Sequence, residues 1–101
     1  MWDEAASIDE HKAVLDEALD IYVERNSVHQ DLWKQDGATG NLQHVRSKVL
    51  RVINQMGNVA LSDGEEQKLY LDQLVDDGLD AINYLAMLIR NAREGRLESK
   101  L

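Results

Sequence analysis

Residues 63–91 read DGEEQKLYLDQLVDDGLDAINYLAMLIRN, and this stretch decides the fold. Leu74, Val75, Leu79, Ile82 and Leu85 recur at three- and four-residue steps, the spacing that lines up one face of an α-helix. Glu65 and Glu66 stand in the first turn and Arg90 and Arg93 near the end, charges that suit the two ends of a helix dipole. A helix over 63–91, roughly 28 residues, would be about 42 Å long. Gly78 falls inside it and costs about 1 kcal/mol of propensity relative to Ala, so a close helix crossing or a bend is expected there.

Working outward, residues 42–56 place Leu42, Val45, Val49, Val52, Ile53 and Met56 on a broad apolar face, which predicts a second helix that breaks at Gly57. Upstream, residues 35–41 (QDGATGN) hold two glycines and read as a loop. The first helix is expected over 7–35, opened by Ser7 and Glu10 at capping-box spacing and carrying Val14, Leu15, Ala18, Leu19, Ile21, Tyr22, Val28 and Leu32. Trp2, ahead of that cap, reads as a hydrophobic anchor, and the polar tail 94–101 is expected to fray. No alternation of period two is long enough for a strand. The expected architecture is a single all-α domain over 1–101, three helices with a central antiparallel helical hairpin, assembling as an oligomeric helical bundle.

The composition agrees. The 101 residues contain no Pro, Cys or Phe, with 44% apolar and 30% charged residues. Absence of Pro favours long helices, and absence of Cys removes disulfides, thiolate nucleophiles and cysteine zinc sites. A domain this short buries a limited share of its surface alone, so a dimer or tetramer is expected. The formal charge of −8 argues against nonspecific nucleic-acid binding and against an anionic membrane surface, but allows a nucleotide that arrives with a divalent cation. Residues 1–10 lack a basic start and an apolar run, and no stretch approaches 18 apolar residues, so a cytoplasmic protein is expected.

Charge is unevenly distributed. Between Gly37 and Ser62 there is no acid, only His44, Arg46, Lys48 and Arg51; between Asp63 and Asp80 there are seven acids against Lys68 alone. The second and third helices should therefore pair electrostatically. Asp72, Asp76 and Asp80 stand at steps of four, followed by Asn83, along one slowly drifting stripe. Three carboxylates so placed are solvated, paired with Lys48 and Arg51, or filled by a cation such as Mg²⁺, which takes oxygen ligands and retains waters.

Residues 72–84 (DQLVDDGLDAINY), with 44–54 (HVRSKVLRVIN) and 22–42 (YVERNSVHQDLWKQDGATGNL), resemble the small all-helical nucleotide pyrophosphohydrolases of the MazG type, especially their divergent phage and nucleotide-modification-associated branch. The similarity spans about 22–89. It implies Mg²⁺-dependent (or Mn²⁺-dependent) cleavage of a nucleoside triphosphate to monophosphate and pyrophosphate, in a homo-oligomer. Asp76 matches the aspartate of the second acidic motif and Asn83 its later asparagine; Asp72 and Asp80 take the remaining acidic positions, so the implied metal ligands are Asp72, Asp76 and Asp80. Arg25, Asn26 and Lys34 fall where that branch puts polar residues near the nucleotide, and Asn83 and Tyr84 complete the implied substrate set. The chain departs from the standard pattern in having no acidic pair on the second helix, where it offers Lys48 and Arg51, and in having Gln73 for a glutamate. Glu17, Asp20, Glu24 or acids of another subunit remain as completing ligands.

An enzyme of this kind needs no covalent nucleophile: a metal-bound water attacks phosphorus in line while Lys48 and Arg51, with Asp80, serve the transferring group. His11, His29 and His44 lack metal-ligand spacing and read as surface or interface residues. The glycines of 35–41 lack the Lys and Ser/Thr of a phosphate-binding loop. The alternative is a noncatalytic helical interaction or regulatory module that forms a homo-oligomer, its charges holding the hairpin together.

Overall fold

A computed structural model describes residues 3–100 and shows α1 (Glu4–His29), a 3₁₀ turn (Leu32–Asp36), α2 (Gly37–Ala60) and α3 (Gly64–Arg93), with no strand among the described residues. Trp2 lies outside them. No helix is long and apolar enough to cross a membrane among the described residues.

The helices differ from the expected ones at their ends, and each difference has a physical cause. α1 starts three residues earlier than Ser7 because Asp3 is the cap: its carboxylate accepts from the Ala6 amide at 3.2 Å, and nothing between them breaks the helix. It stops at His29, not at residue 35. Gln30 and Asp31 both take left-handed backbone (φ 49° and 61°), held there by Asn26. The Asn26 amide donates to the Asp31 carboxylate at 2.7 Å, and its oxygen accepts from the Asp31 amide at 2.9 Å. Asn and Asp tolerate such local backbone bonding, and the stop is made without Gly or Pro.

The expected loop 35–41 is instead the start of α2. Its first amides are satisfied by the tail: Ala38 donates to the Arg96 carbonyl at 2.8 Å and Thr39 to the Leu97 carbonyl at 2.9 Å, while the Lys100 amide reaches the Gln35 carbonyl at 2.7 Å. Residues 95–100 therefore do not fray but strap across the helix start. Gly37 makes this possible. Its φ is +67°, and a Cβ there would stand 2.5 Å from the Glu98 carbonyl oxygen. At the other end α2 continues through Gly57 to Ala60, because one glycine does not outweigh the bonds that finish the helix. There the Ser62 hydroxyl donates to the Asn58 carbonyl at 2.7 Å, and the Gln67 amide to the Val59 carbonyl at 3.1 Å. α3 also runs slightly later than expected, Gly64 to Arg93.

α2 and α3 form an antiparallel hairpin, read directly from its rungs. Val59 meets Gln67, Gln55 meets Gln73, Arg51 meets Asp77, Lys48 meets Asp80, His44 meets Tyr84 and Asn41 meets Asn91. At the open end of the hairpin, Asn41 and Asn91 are fully buried and bonded to each other at 2.6 Å. Asn91 also reaches the Trp33 carbonyl and accepts from Arg96, so one amide ties together hairpin, 3₁₀ turn and tail. α1 leans mainly on α3, where the small Ala18 allows close approach and its carbonyl accepts from Asn83 at 2.8 Å. Gly78 is not a crossing point: no other element comes within 4 Å of where its Cβ would be.

Few apolar side chains are buried: Ala18, Trp33, Val45, Leu79 and Ala81. Leu15, Leu19, Val23, Leu50, Ile53, Met56, Leu69 and Val75 are among the large apolar residues left exposed. The radius of gyration, 15.9 Å, exceeds the value of about 13 Å typical of a compact chain of 100 residues.

Candidate functional site

Two adjoining features occupy the middle of the molecule. The first is a charged seam between α2 and α3. Lys48 and Arg51 are one turn apart on α2, as are Asp77 and Asp80 on α3, so each pair faces the other. Arg51 Nε lies 3.0 Å from Asp77 Oδ1, while Lys48 Nζ bridges Asp77 Oδ1 at 3.6 Å and Asp80 Oδ2 at 3.0 Å. Arg25 enters from α1, its NH1 at 2.7 Å from Asp80 Oδ1. Asp77 and Asp80 are 3% and 8% exposed, so their charges depend on these cations. Asp77 Oδ2 is buried without a hydrogen-bond partner among the described residues.

Asp77 is the residue that the sequence reading passed over. The stripe Asp72, Asp76, Asp80 is spaced by four, and each such step turns about 40° around a helix, so the stripe drifts away from α2. Asp72 and Asp76 end on the exposed side of α3, and the inward pair is Asp77 with Asp80. Among the described residues no group of three or more His, Asp or Glu side chains is placed to share a metal ion, so Asp72, Asp76 and Asp80 are not gathered into one ligand set. Asp77 and Asp80 already carry Lys48 between them. Of the three arrangements open to the stripe, pairing with Lys48 and Arg51 is present at Asp80, with Asp77 in place of Asp76.

The second feature is a cavity of about 260 Å³ beside the seam. Arg25, Asn26, Asn83 and Tyr84, nominated for a ligand from sequence, all line it, and Asp80 does too. Lys34 does not; it pairs with Asp31 at 3.1 Å and lies against the Trp33 ring. The walls are aromatic. Tyr84 stacks on His44 with ring centroids 4.7 Å apart and planes within 13°, and Tyr22 and Trp33 complete the lining with Leu32 and Met87. His29, His44 and Asp36 also line it. His29 and His44 were expected at a surface or interface. Both are exposed, as expected, and the register of α2 on α3 and the early stop of α1 bring them to the cavity.

The lining is held in place by bonds behind it. The Tyr22 hydroxyl accepts from Trp33 Nε1 at 3.1 Å and from Arg90 at 3.0 Å, and donates to Asp31 at 3.4 Å. Arg90 covers the Trp33 ring at 4.5 Å. Hydrogen bonding from the Asn26 amide, then Lys34, holds the Asp31 carboxyl below the usual carboxylate range. Asn26 is thus occupied with the turn, and Asn83 keeps its carbonyl oxygen for the cavity after donating to Ala18. What remains for a ligand is a set of aromatic faces, the Asn83 carbonyl oxygen, one exposed guanidinium, two imidazoles and the Asp36 carboxylate. No family model, curated protein or solved structure matches the chain.

Proposed function

We propose that the protein binds a nucleoside triphosphate, with its base in the cavity between α1 and α3, and cleaves it to monophosphate and pyrophosphate. The observation that carries this reading is the convergence of Arg25, Asn26, Asn83 and Tyr84, from two helices far apart in sequence, on one aromatic-walled cavity. A base is a flat ring with hydrogen-bonding edges, and aromatic walls with a few polar groups suit it. The triphosphate reaches an acidic protein as its Mg²⁺ or Mn²⁺ complex, which offsets repulsion from the −8 net charge. Arg51, bound to Asp77 through Nε alone, keeps guanidinium donors for a phosphate. Asp80 orients Arg25 and Lys48.

The test is pyrophosphate release from canonical and modified nucleoside triphosphates with Mg²⁺ or Mn²⁺, comparing the unaltered chain with Asp76→Asn and Tyr84→Ala. Turnover that falls at least tenfold in Tyr84→Ala supports the cavity as its seat. Turnover lost in Asp76→Asn with unchanged stability makes that exposed carboxylate a metal ligand. No turnover on any member of the panel overturns the hydrolytic reading.

The second reading is a noncatalytic helical module, favoured by one observation: both inward carboxylates are matched by the chain's own cations. In either reading we propose a homo-oligomer, because exposed Leu50, Ile53 and Met56 on α2 and Leu15, Leu19 and Val23 on α1 form apolar faces that one copy leaves uncovered. Sedimentation of the chain at micromolar concentration gives the subunit count; a monomer throughout would sink the assembly.

A further inference from the structure

We infer that Arg25 is the phosphate-binding residue of this cavity and that it holds a nucleoside monophosphate without any divalent cation. The inference rests on the nucleotide reading of the cavity and specifies which part of the ligand the chain recognises by itself.

Charge matching leads there. The seam has two carboxylates and three cations. Asp77 is served by Arg51 and Lys48, and Asp80 by Lys48 through its other oxygen. With Arg25 on the first oxygen of Asp80 at 2.7 Å, the cluster keeps one net positive charge, and Arg25 is the member of the three cations that lines the cavity. Only its NH1 is engaged by Asp80, and its side chain is 58% exposed. A guanidinium has five N–H donors in a fixed plane, so an edge gripped on one side by a carboxylate leaves donors on the other for a phosphate. Asp80 orients Arg25 in this way, with Lys48 on its second oxygen limiting how far Asp80 cancels the charge of Arg25.

The rest of the lining fits the other half of the ligand. Tyr84, stacked on His44, and Trp33 offer aromatic surface for a base. Asp36 is the lining carboxylate without a cation at salt-bridge distance among the described residues, and its oxygens suit a base N–H or a ribose hydroxyl. Size argues for a single phosphate. At about 260 Å³ the cavity falls just below the usual range of ligand pockets, about 300 to 1,000 Å³, leaving little room for a polyphosphate inside it. A single phosphomonoester on Arg25 needs no metal to neutralise it, whereas a triphosphate tail outside the cavity does.

The experiment is calorimetric titration of the full chain with a nucleoside, its 5′-monophosphate, inorganic phosphate and the triphosphate with Mg²⁺, each with EDTA replacing Mg²⁺ in a parallel series. The monophosphate is expected to bind about tenfold more tightly than the nucleoside in EDTA, the scale of one charge-assisted contact. Arg25→Gln should abolish that preference while leaving nucleoside binding, and Arg46→Gln, which removes an exposed α2 charge outside the cavity, should leave the preference intact. Equal affinity for nucleoside and monophosphate, a preference that appears only with Mg²⁺, or a preference retained in Arg25→Gln would each overturn the assignment. The first of these, found together with turnover of the Mg²⁺ triphosphate, would overturn it while leaving the proposed activity standing. Binding of inorganic phosphate as tight as the monophosphate would also overturn it, since the ring would then contribute nothing. Failure of every nucleoside and nucleotide to bind defeats both. If Arg25→Gln does not fold, the unaltered chain still tests the metal-free preference, and Arg25→Lys, which keeps the charge but not the planar fork of donors, should weaken it; a preference unchanged in Arg25→Lys would overturn the assignment.

Discussion

The seam and the cavity share Asp80 and Arg25, yet they are built on opposite principles. In the seam, Lys48 and Arg51 meet Asp77 and Asp80 at hydrogen-bonding distances, and the carboxylates are buried behind them. Almost every charge there is answered by another of the same chain. In the cavity, Tyr22 and Trp33 are fixed from behind and Tyr84 stacks on His44, and they line open space with Arg25 and Asp36 among them. A closed polar cluster of this kind secures the register of two helices; an aromatic cavity with unmatched polar groups offers binding surface. Charge density alone is therefore a poor guide to open binding surface in this molecule, since the densest charges face one another.

The sharpest way to break this contrast is Lys48→Met. It leaves Asp80 with Arg25 alone and Asp77 with Arg51 alone, and both carboxylates are buried, so unfolding in urea should show a loss of about 2–3 kcal/mol. A loss below about 1 kcal/mol would mean that the seam behaves as solvated surface pairs do. Gly37→Ala probes the cavity side. The added Cβ meets the Glu98 carbonyl in a backbone conformation that L side chains avoid, so the strap should lift, at a cost of about 1–3 kcal/mol. Hydrogen exchange at Ala38 and Thr39 should accelerate with it, since their amides bond to Arg96 and Leu97. Exchange unchanged from the parent chain would show that α2 begins there without the tail. Gly78→Ala should have the smallest effect and the opposite sign. It adjoins Asp77, but its Cβ would meet nothing of another element, so a gain of up to about 1 kcal/mol is expected in the same urea titration. A loss would place Gly78 against a second copy of the chain.

Much of this architecture was legible in the one-dimensional pattern. The long third helix is visible in Leu74, Val75, Leu79, Ile82 and Leu85, and the pairing of a basic second helix with an acidic third is visible in the segregation of Lys48 and Arg51 from the aspartates. The lining of the cavity was legible in part: Arg25, Asn26, Asn83 and Tyr84 reach it, while Lys34 turns to Asp31. The choice between Asp76 and Asp77 was not legible, because neighbouring residues differ by about 100° around a helix and only the position of α2 says which faces inward. The ends of the helices were misjudged wherever the deciding group is distant. Gly37 and Gly40 look like a loop until Arg96 and Leu97, nearly sixty residues away, satisfy the amides beside them.

The sequence by itself determined that this is an all-helical chain with an acidic third helix, because helix periodicity, the absence of proline and the run of charges are local properties that each segment carries with it. Tertiary structure alone decided that Asp77 joins Asp80 against Lys48 and Arg51, that the tail caps α2, and that His44, Tyr84, Trp33 and Arg25 surround one cavity. These depend on rotational register and on contacts between distant segments, and a helix repeat fixes neither until a second helix is placed against it.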